Sequence, residues 1–372
     1  MRGLTRYVLR QLVVGLLAVT GGLAVLIWLT QSLRFIELVL NRGLSIGVFF
    51  ELTVFMLPNF VAVILPVTTF MVILAVYSRM EGDRELVVMS AAGMGPGAIA
   101  RPALMLAAGA AALGWVMNLW IVPESYRAFR DYQFEIRNRM AAVLLQEGVF
   151  STLGEGLTVY VRARDPDGSF LGILVHDSRE AGAPATILAE RGWLDVEGPV
   201  PRVTLRNGSR QEVDRRTGTL RVLSFAENTL SLATETDRDE TRYREARERH
   251  LRELLRPDPA EQVSERDRRR FLVEAHQRLS GPLLTVSLGL LAVAVLLTGE
   301  FSRYGKSGRV LVAVGLGAGL IALGLGLGNL AARHLVLVPL IWVHAVGPGL
   351  VAALWLLIPP RPRVPDADAT PG

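Results

Sequence analysis

The sequence predicts a membrane α-helical protein with six transmembrane helices and an inserted all-β domain of the jelly-roll type. Six apolar runs carry almost no charge, and each has the length of roughly 20 residues that crosses a bilayer core as a helix. A long polar segment, residues 123–278, separates the third run from the fourth and contains short β-branched stretches. Basic residues cluster in the short loops between the runs.

The apolar runs form two groups of three. They are residues 12–33, 52–76, 103–122, 279–298, 310–330 and 335–358. The first run is longer than the apolar region of a signal peptide, and no clean small-x-small cleavage site follows it. We therefore interpret it as a retained membrane span.

The basic residues of the short loops predict the orientation. These residues are Arg2, Arg6, Arg10, Arg79, Arg84, Arg101, Arg303, Lys306, Arg309, Arg361 and Arg363. All of them fall on one side if the spans alternate, and the positive-inside rule makes that side the cytoplasm. Both termini are then cytoplasmic and the polar insert is extracytoplasmic. The net charge of +5 is thus mostly a topology signal, and no nucleic-acid-binding motif accompanies it.

The polar insert begins with a helix, residues 123–140, and continues as short strands. The predicted strands are residues 157–164, 170–177, 185–192, 201–208, 210–216 and 219–227. Turns are predicted at DPDG (165–168), RNG (206–208) and RTG (216–218). Strands at this spacing are typical of a sandwich or jelly roll. Its interior is either an ordinary packed core or an open one that accepts an acyl chain.

Composition predicts four parts of the chain. Residues 1–122 form the first transmembrane half, and residues 123–278 form the periplasmic β domain with flanking helices, including charged helices at 244–255 and 264–279. Residues 279–358 form the second transmembrane half. The proline-rich tail, residues 359–372, is expected to be disordered in the cytoplasm.

The sequence gives no support to an enzyme. There is no cysteine, the five histidines lack a zinc-ligand spacing, and no serine-nucleophile motif is present. A P-loop has the pattern G-x-x-x-x-G-K-[ST]. If GKS at 305–307 were its end, the first glycine would fall at position 300, which is Glu300. We therefore expect no cofactor bound by this chain, no metal site, and ATP hydrolysis, if any, in a separate subunit.

A charged stretch between the second and third spans, EGDRELVVMSAAGMGPG (81–97), predicts a short cytoplasmic helix. Asp83 is the expected N-cap, Glu85 lies in the first turn, and Gly93 ends the helix. Leu86, Val87, Met89 and Ser90 are expected to form an apolar side. Such a helix either lies flat on headgroups as a connector or docks into a partner's groove, and Glu85 favours docking.

Arg34 lies where the first span ends, with Glu37 as a helical neighbour. It is either an arginine that extends to the membrane interface or a cation that faces a cavity and binds an anionic headgroup. Both alternatives remain open at the level of the residues.

Taken in order, several motifs resemble one family, the LptF/LptG permeases of the lipopolysaccharide exporter of Gram-negative bacteria. The motifs are RYVLRQ (6–11), SLRFIELVLNRGLS (32–45), LPNFVAVILP (57–66), RELVVMSAAGM (84–94) and EAHQRL (274–279). Together with the layout of three spans, a β domain and three spans, they cover nearly the whole chain. Arg34 and the E-x-H-x-R pattern look more like LptF than LptG.

The resemblance implies a heterodimer with an LptG-like permease subunit, two copies of the LptB-like ATPase, and an LptC-like protein that receives the lipid. It implies that Asp83, Arg84, Glu85, Leu86, Met89 and Gly93 belong to a coupling helix that docks into the ATPase. It also implies that Arg34, with Gln31 and Glu37 nearby, meets lipopolysaccharide phosphates. Some relatives carry lysine near position 31, where this chain has glutamine.

The function implied is that of an inner-membrane permease subunit of an ABC transporter. The subunit extracts lipopolysaccharide and passes it to a periplasmic bridge toward the outer membrane. The alternatives are the LptG-like partner subunit, or a mechanotransmitting membrane subunit that moves without carrying lipid.

Overall fold

The computed structural model describes residues 2–42, 46–143, 147–152, 156–179, 184–195, 202–213, 219–231, 244–259, 261, 263–297 and 307–357. Its helices are α1 (Arg2–Arg42), α2 (Ile46–Gly82), α3 (Glu85–Ala91), α4 (Pro96–Val116), α5 (Val122–Val143), α6 (Leu251–Leu255), α7 (Glu265–Leu297), α8 (Ser307–Arg333) and α9 (Val338–Leu357). A π-helical turn, Met117–Ile121, joins α4 to α5 without a break. The helix predicted at 123–140 therefore does continue out of the third span.

The six predicted spans are confirmed as helices that are long and apolar enough to cross a membrane. These segments are Gly3–Leu33, Phe49–Gly82, Pro96–Gln133, Glu265–Leu297, Gly308–Arg333 and Leu335–Leu357. Leucine side chains such as Leu17 and Leu311 stay about 70% exposed on their outer surfaces. Apolar helices with so much exposed apolar surface fit a lipid environment.

The helices pack around a core in which α2, α4 and α7 supply most of the buried side chains. Small residues allow close approach: Ala107 and Ala292 are fully buried, and a Cβ added to Gly289 would lie 2.9 Å from Ala107 Cβ. The Trp115 indole nitrogen donates to the Leu279 carbonyl oxygen at 2.9 Å, which joins α4 to α7. Close packing thus fixes these three helices as one body.

The short-loop ends of several helices come together, as alternating spans require. The Arg79 guanidinium donates to the Gln11 side chain, and Arg309 forms an ion pair with Glu81 at 3.2 Å. These contacts place the start of α1, the end of α2 and the start of α8 at one end of the helices. Residues 305–306 of the GKS stretch lie outside the described residues.

The β region is one antiparallel sheet of six described strands in chain order. The strands are β1 (Phe150–Thr152), β2 (Leu157–Arg164), β3 (Phe170–Asp177), β4 (Ala185–Asp195), β5 (Arg202–Val213) and β6 (Leu220–Ser231). The sheet buries an apolar face that includes Leu157, Val175 and Leu205. The predicted jelly-roll topology is not confirmed, because the described strands pair only with their neighbours in sequence.

One predicted turn is wrong, because residues 206–208 form a bend within a strand, which we call the crease. The RNG stretch at 206–208 is not a turn; it lies inside the continuous strand β5, whose pairing with β4 keeps one register on both sides. Asn207 has a φ of 52°, and the alternation of buried positions, which includes Val203 and Leu205, ends there. Gly208 is required there, because an added Cβ would lie 2.4 Å from the Leu188 carbonyl oxygen.

The other turns have different outcomes. DPDG at 165–168 is confirmed as the turn between β2 and β3, where Gly168 has a φ of 86°. The predicted turn at 216–218 and the predicted disordered tail at 359–372 lie outside the described residues.

The chain divides into two compact units whose boundaries differ from the predicted domains. One unit comprises residues 1–128 and 245–372 and contains the apolar helices, and the other comprises residues 129–244 and contains the sheet. The charged segment after residue 244, expected with the β domain, instead belongs to the helical unit. The Arg278 guanidinium of α7 donates to the backbone carbonyls of Arg249 and Ala246 in this segment, a contact that composition alone does not reveal.

Candidate functional site

The helix α3 begins one residue later than the sequence suggests, and its cap is different. Asp83 is not the N-cap: Arg84 occupies that position with a left-handed φ of 60°, and no side chain caps the helix. The Asp83 backbone N–H donates to the Arg79 carbonyl, so Asp83 still belongs to the end of α2. Glu85 lies in the first turn of α3 as predicted, where the helix dipole favours an anion.

The end of α3 is confirmed at Gly93. Its φ is 85°, its N–H donates to the Ser90 carbonyl at 3.0 Å, and the Met94 N–H donates to the Met89 carbonyl at 3.1 Å. This pair of bonds is a Schellman motif, which satisfies the last carbonyls of the helix and favours glycine at the left-handed position. The sharp stop keeps α3 to two turns and directs the chain into α4.

The two sides of α3 have different environments. Leu86 and Met89 are each 6% exposed and pack in the core of the helical unit. Val87 and Val88 are 42% and 67% exposed, and Ser90 is exposed as well. Leu86 and Met89 therefore anchor the helix and do not offer contact surface. The other two residues of the expected apolar side, Val87 and Ser90, are exposed, as is Val88.

The helices that flank α3 are held firmly at the same end. The Tyr77 hydroxyl in α2 donates to the Ile99 carbonyl in α4 at 2.7 Å, and Tyr77 is fully buried. The ion pair between Glu81 and Arg309 adds α8 to this arrangement. Leu86 and Met89 of α3 pack into the same core cluster as buried residues of α2 and α4.

The predicted lipid-contacting residues lie together near the end of α1. Gln31, Arg34 and Glu37 all belong to the continuous helix Arg2–Arg42, and Gln31 is half-buried. The side chains of Arg34 and Glu37 lie outside the described residues.

Sequence reasoning did not single out Arg278, a buried arginine of the helical unit with several hydrogen-bond partners. Its side chain is 5% exposed. Its guanidinium nitrogens donate to the carbonyls of Arg249 at 2.7 Å, Ala246 at 2.9 Å and Arg247 at 3.2 Å, and to Glu274 at 3.0 Å. Arg278 therefore holds the segment before α6 against α7. The E-x-H-x-R spacing was the available signal, since Glu274 and Arg278 are four residues apart on one helix.

The same turn of α7 contacts two further helices. The Trp342 indole nitrogen in α9 donates to His276 Nδ1 at 3.2 Å. Gln277 lies against α8 at Gly328, where an added Cβ would lie 2.1 Å from the Gln277 amide nitrogen. The EAHQR stretch is thus a junction that joins α7, α8, α9 and the preceding segment.

The described residues contain no group of three histidine, aspartate or glutamate side chains that could hold a metal ion. The described part of the helical unit offers polar junctions and an anchored helix.

Comparison with known proteins identifies a family for this architecture. The model of the family described as "Lipopolysaccharide export system permease LptF/LptG" matches residues 6–359. The chain is 28% identical over 304 residues to "Uncharacterized protein RP871" of Rickettsia prowazekii (strain Madrid E), which covers 80% of this chain and 82% of that protein. It is 22% identical over 210 residues to the lipopolysaccharide export system permease protein LptF of Escherichia coli (strain K12), which covers 56% of this chain and 57% of that protein.

The family match extends over both groups of apolar helices and over the β unit between them. The six membrane-length helices are what a multi-pass permease requires. The chain is therefore a multi-pass membrane protein that belongs to the LptF/LptG family of lipopolysaccharide export system permeases.

Proposed function

We propose that this chain is the LptF-like permease subunit of an inner-membrane ABC transporter, which extracts lipopolysaccharide and passes it toward the outer membrane. The observation that carries the proposal is the family match over residues 6–359 together with the six apolar helices. In this proposal the chain performs no covalent chemistry and binds no cofactor. ATP hydrolysis belongs to two copies of an LptB-like ATPase.

The coupling step is proposed for α3. The helix lies at the end of the helices where basic residues such as Arg79 and Arg309 cluster, which the positive-inside rule makes cytoplasmic. Its exposed valines, Val87 and Val88, suit a hydrophobic groove on a partner, with Glu85 at the edge. Closure of the ATPase would push α3, and the packed contacts of Leu86 and Met89 would move α2 and α4 with it.

The lipid-loading step is proposed for the end of α1. Arg34 would bind a lipopolysaccharide phosphate, since a guanidinium can donate two parallel hydrogen bonds to one phosphate. Gln31 and Glu37 share the helical neighbourhood and would set the local charge. With glutamine rather than a second cation at position 31, Arg34 carries this interaction alone on the predicted face.

The β unit is proposed to be a periplasmic, jelly-roll-like domain that hands lipid to an LptC-like protein and the periplasmic bridge. The support is its apolar interior, lined by residues such as Leu157, Val175 and Leu205. An acyl chain placed there would replace contacts that the sheet now makes with itself.

The LptF-like assignment, with an LptG-like subunit as partner, is supported by the E-x-H-x-R pattern at Glu274, His276 and Arg278. The relatives that carry the name LptF add to this support. The LptG-like alternative remains the nearest rival. It predicts that the partner subunit, not this chain, carries the features expected of LptF.

The test is purification of the tagged chain from its native membrane in mild detergent, followed by mass spectrometry of everything bound. We expect an ATPase of the ABC type, a second six-span subunit and lipopolysaccharide. A complex of the same composition without lipid would favour a mechanotransmitting subunit. Recovery of the chain alone under conditions that preserve other ABC complexes would contradict the proposal.

Glu85→Arg tests the coupling step. The substitution reverses the charge at the edge of the exposed side of α3, so the amount of co-purified ATPase should fall about tenfold while the chain still folds. Glu51→Arg is the matched control, because Glu51 is an exposed carboxylate near the start of α2, outside the residues assigned to coupling. Normal ATPase recovery with Glu85→Arg would contradict the role assigned to this edge.

Arg34→Glu tests the loading step. Repulsion between the new carboxylate and lipid phosphates should reduce lipid crosslinking at the end of α1 several-fold, with assembly unchanged. The measurement is photo-crosslinking to lipopolysaccharide in membranes, with Arg42→Glu as a control on the same helix. Unchanged crosslinking with Arg34→Glu would leave Arg34 as an interfacial anchor only.

A further inference from the structure

A cavity of about 670 Å³ lies where α7 begins and α8 ends, and its lining is strongly basic. Four arginines, one glutamate, one asparagine and one alanine line it. They are Arg266, Arg269, Arg270, Arg333, Glu265, Asn329 and Ala332. The cavity lies within the helical unit. It is separate from α3 and from the end of α1.

The arginines of this cavity have few internal partners. Among the described residues, Arg266, Arg269 and Arg333 form no ion pair, and Arg270 approaches Asp267 only at 3.9 Å. A larger cavity lies over the crease of the sheet, and its arginines do have carboxylate partners. Arg191 and Arg206 there each contact a carboxylate oxygen at 3.0 Å. The cavity at α7 therefore keeps positive charge available for a ligand.

Helix geometry makes this charge costly without a ligand. Arg266, Arg269 and Arg270 lie in the first two turns of α7, where the positive end of the helix dipole disfavours cations. Glu265 and Asp267 offset part of the charge, but Glu265 is 3.9 Å from Arg268, which does not line the cavity. An anion bound between the arginines would relieve both the dipole and the mutual repulsion.

The position along α8 indicates the kind of anion. The apolar run of α8 continues to Ala332, and Arg333 ends the helix, so the cavity lies at the boundary between apolar helix and polar surroundings. In a membrane this boundary is the level of the headgroups. Leu330 lies one turn before Arg333 and is 50% exposed, which offers an apolar surface for an acyl chain directly beneath the cation.

We propose that this cavity binds the phosphate of an anionic membrane lipid, with the lipid's acyl chain along the exposed leucines of α8. Guanidinium groups recognise phosphate through paired hydrogen bonds, and basic pockets at helix ends hold lipid headgroups. The proposed site requires only that α7 and α8 span the membrane, as expected for a member of this permease family. It does not depend on lipopolysaccharide as cargo or on the role proposed for Arg34.

The test is native mass spectrometry of the full chain in detergent, titrated with phosphatidylglycerol, phosphatidylcholine or inorganic phosphate. We expect phosphatidylglycerol to bind at least about fivefold more tightly than phosphatidylcholine, and binding to weaken as salt increases. Arg269→Gln and Arg333→Gln should each raise the apparent Kd for phosphatidylglycerol about fivefold. Arg268→Gln is the matched control and should change it less than about twofold.

Three results would overturn the site. One is equal binding of the two lipids by the unsubstituted chain. Another is an unchanged Kd in the Arg269→Gln and Arg333→Gln variants while both keep a normal size-exclusion profile. The third is displacement of the lipid by inorganic phosphate at equal concentration, which would assign the cavity to a free anion. Loss of lipopolysaccharide from native complexes, with phosphatidylglycerol binding intact, would affect only the proposed cargo.

Discussion

Two stretches of α7, about three turns apart, use arginine in opposite ways. Arg278 is buried, and its guanidinium donates to three backbone carbonyls and to Glu274. Arg266 and Arg269 are exposed, and they form no ion pair within the described part of the chain. The first arrangement holds the fold together, whereas the second leaves charge free for a ligand. Residue type alone therefore does not identify a binding site in this protein.

The largest effect should come from removing the bonded arginine. Arg278→Met leaves the carbonyls of residues 246, 247 and 249 without a buried donor and Glu274 without its cation, so we expect a loss of about 3–5 kcal/mol in stability. The measurement is thermal unfolding in detergent followed by size-exclusion fluorescence. Arg268→Met is the matched control: its side chain is 64% exposed, and the expected change is within about 0.5 kcal/mol.

Equal melting temperatures for Arg278→Met and Arg268→Met would contradict this distinction between the two stretches, because the buried hydrogen bonds would then contribute nothing to stability. Arg278→Lys sharpens the same comparison. Lysine keeps the charge but lacks the planar fork that reaches four acceptors, so its stability should lie between those of the natural chain and Arg278→Met.

A smaller effect should separate the two sides of α3 in the same way. Leu86→Ala removes a side chain that is 6% exposed and should cost about 2–4 kcal/mol in stability. Val88→Ala removes one that is 67% exposed and should cost less than about 0.5 kcal/mol. Thermal unfolding of both variants checks this, and a Val88→Ala variant as unstable as Leu86→Ala would mean that α3 is buried on all sides.

The smallest effect should come from a charge whose contacts are local and exposed. Hydrogen bonds from the Ser169 hydroxyl and then from the Ser169 backbone N–H hold the pKa of Asp167 below its usual range. A lowered pKa means that the ionised carboxylate stabilises the fold above the unfolded pKa of about 3.9. This contribution disappears as the pH falls through the lower pKa of the folded state.

Asp167→Asn should therefore lower the melting temperature slightly at pH 7 and make no difference well below pH 3, as measured by thermal unfolding at both pH values. Asp195→Asn provides a comparison in the same sheet. A larger effect of Asp167→Asn at low pH than at neutral pH would contradict the direction assigned to this pKa.

Local pattern predicted much of the fold. The strands at 157–164 and 170–177 have the bounds that alternation and the DPDG turn indicated, and the six apolar runs are helices. The turn expected at 206–208 is a crease, because Asn-Gly also suits a left-handed residue within a strand when neighbouring strands hold the register. Alternation breaks at a crease as it does at a turn, so the sequence does not distinguish them.

The candidate sites were less predictable, since they depend on contacts between distant residues. The position of Glu85 and Gly93 on α3 followed from capping rules, but the cap itself is Arg84, because Asp83 completes the last turn of α2. The sequence placed Leu86 and Met89 on an apolar side without showing that the core already occupies it. The carbonyl partners of Arg278 lie about 30 residues earlier, beyond any local pattern.

The most direct test of the central claim, that this chain is a permease driven by a separate ATPase through α3, is site-specific crosslinking at α3. The chain contains no cysteine, so Val88→Cys and Leu86→Cys each introduce a unique attachment point for a photo-crosslinker in native membranes. We expect Val88→Cys to form an adduct with an ABC-type ATPase and Leu86→Cys to form none. Adducts of Val88→Cys with lipid alone, in membranes where the ATPase is present, would contradict the claim.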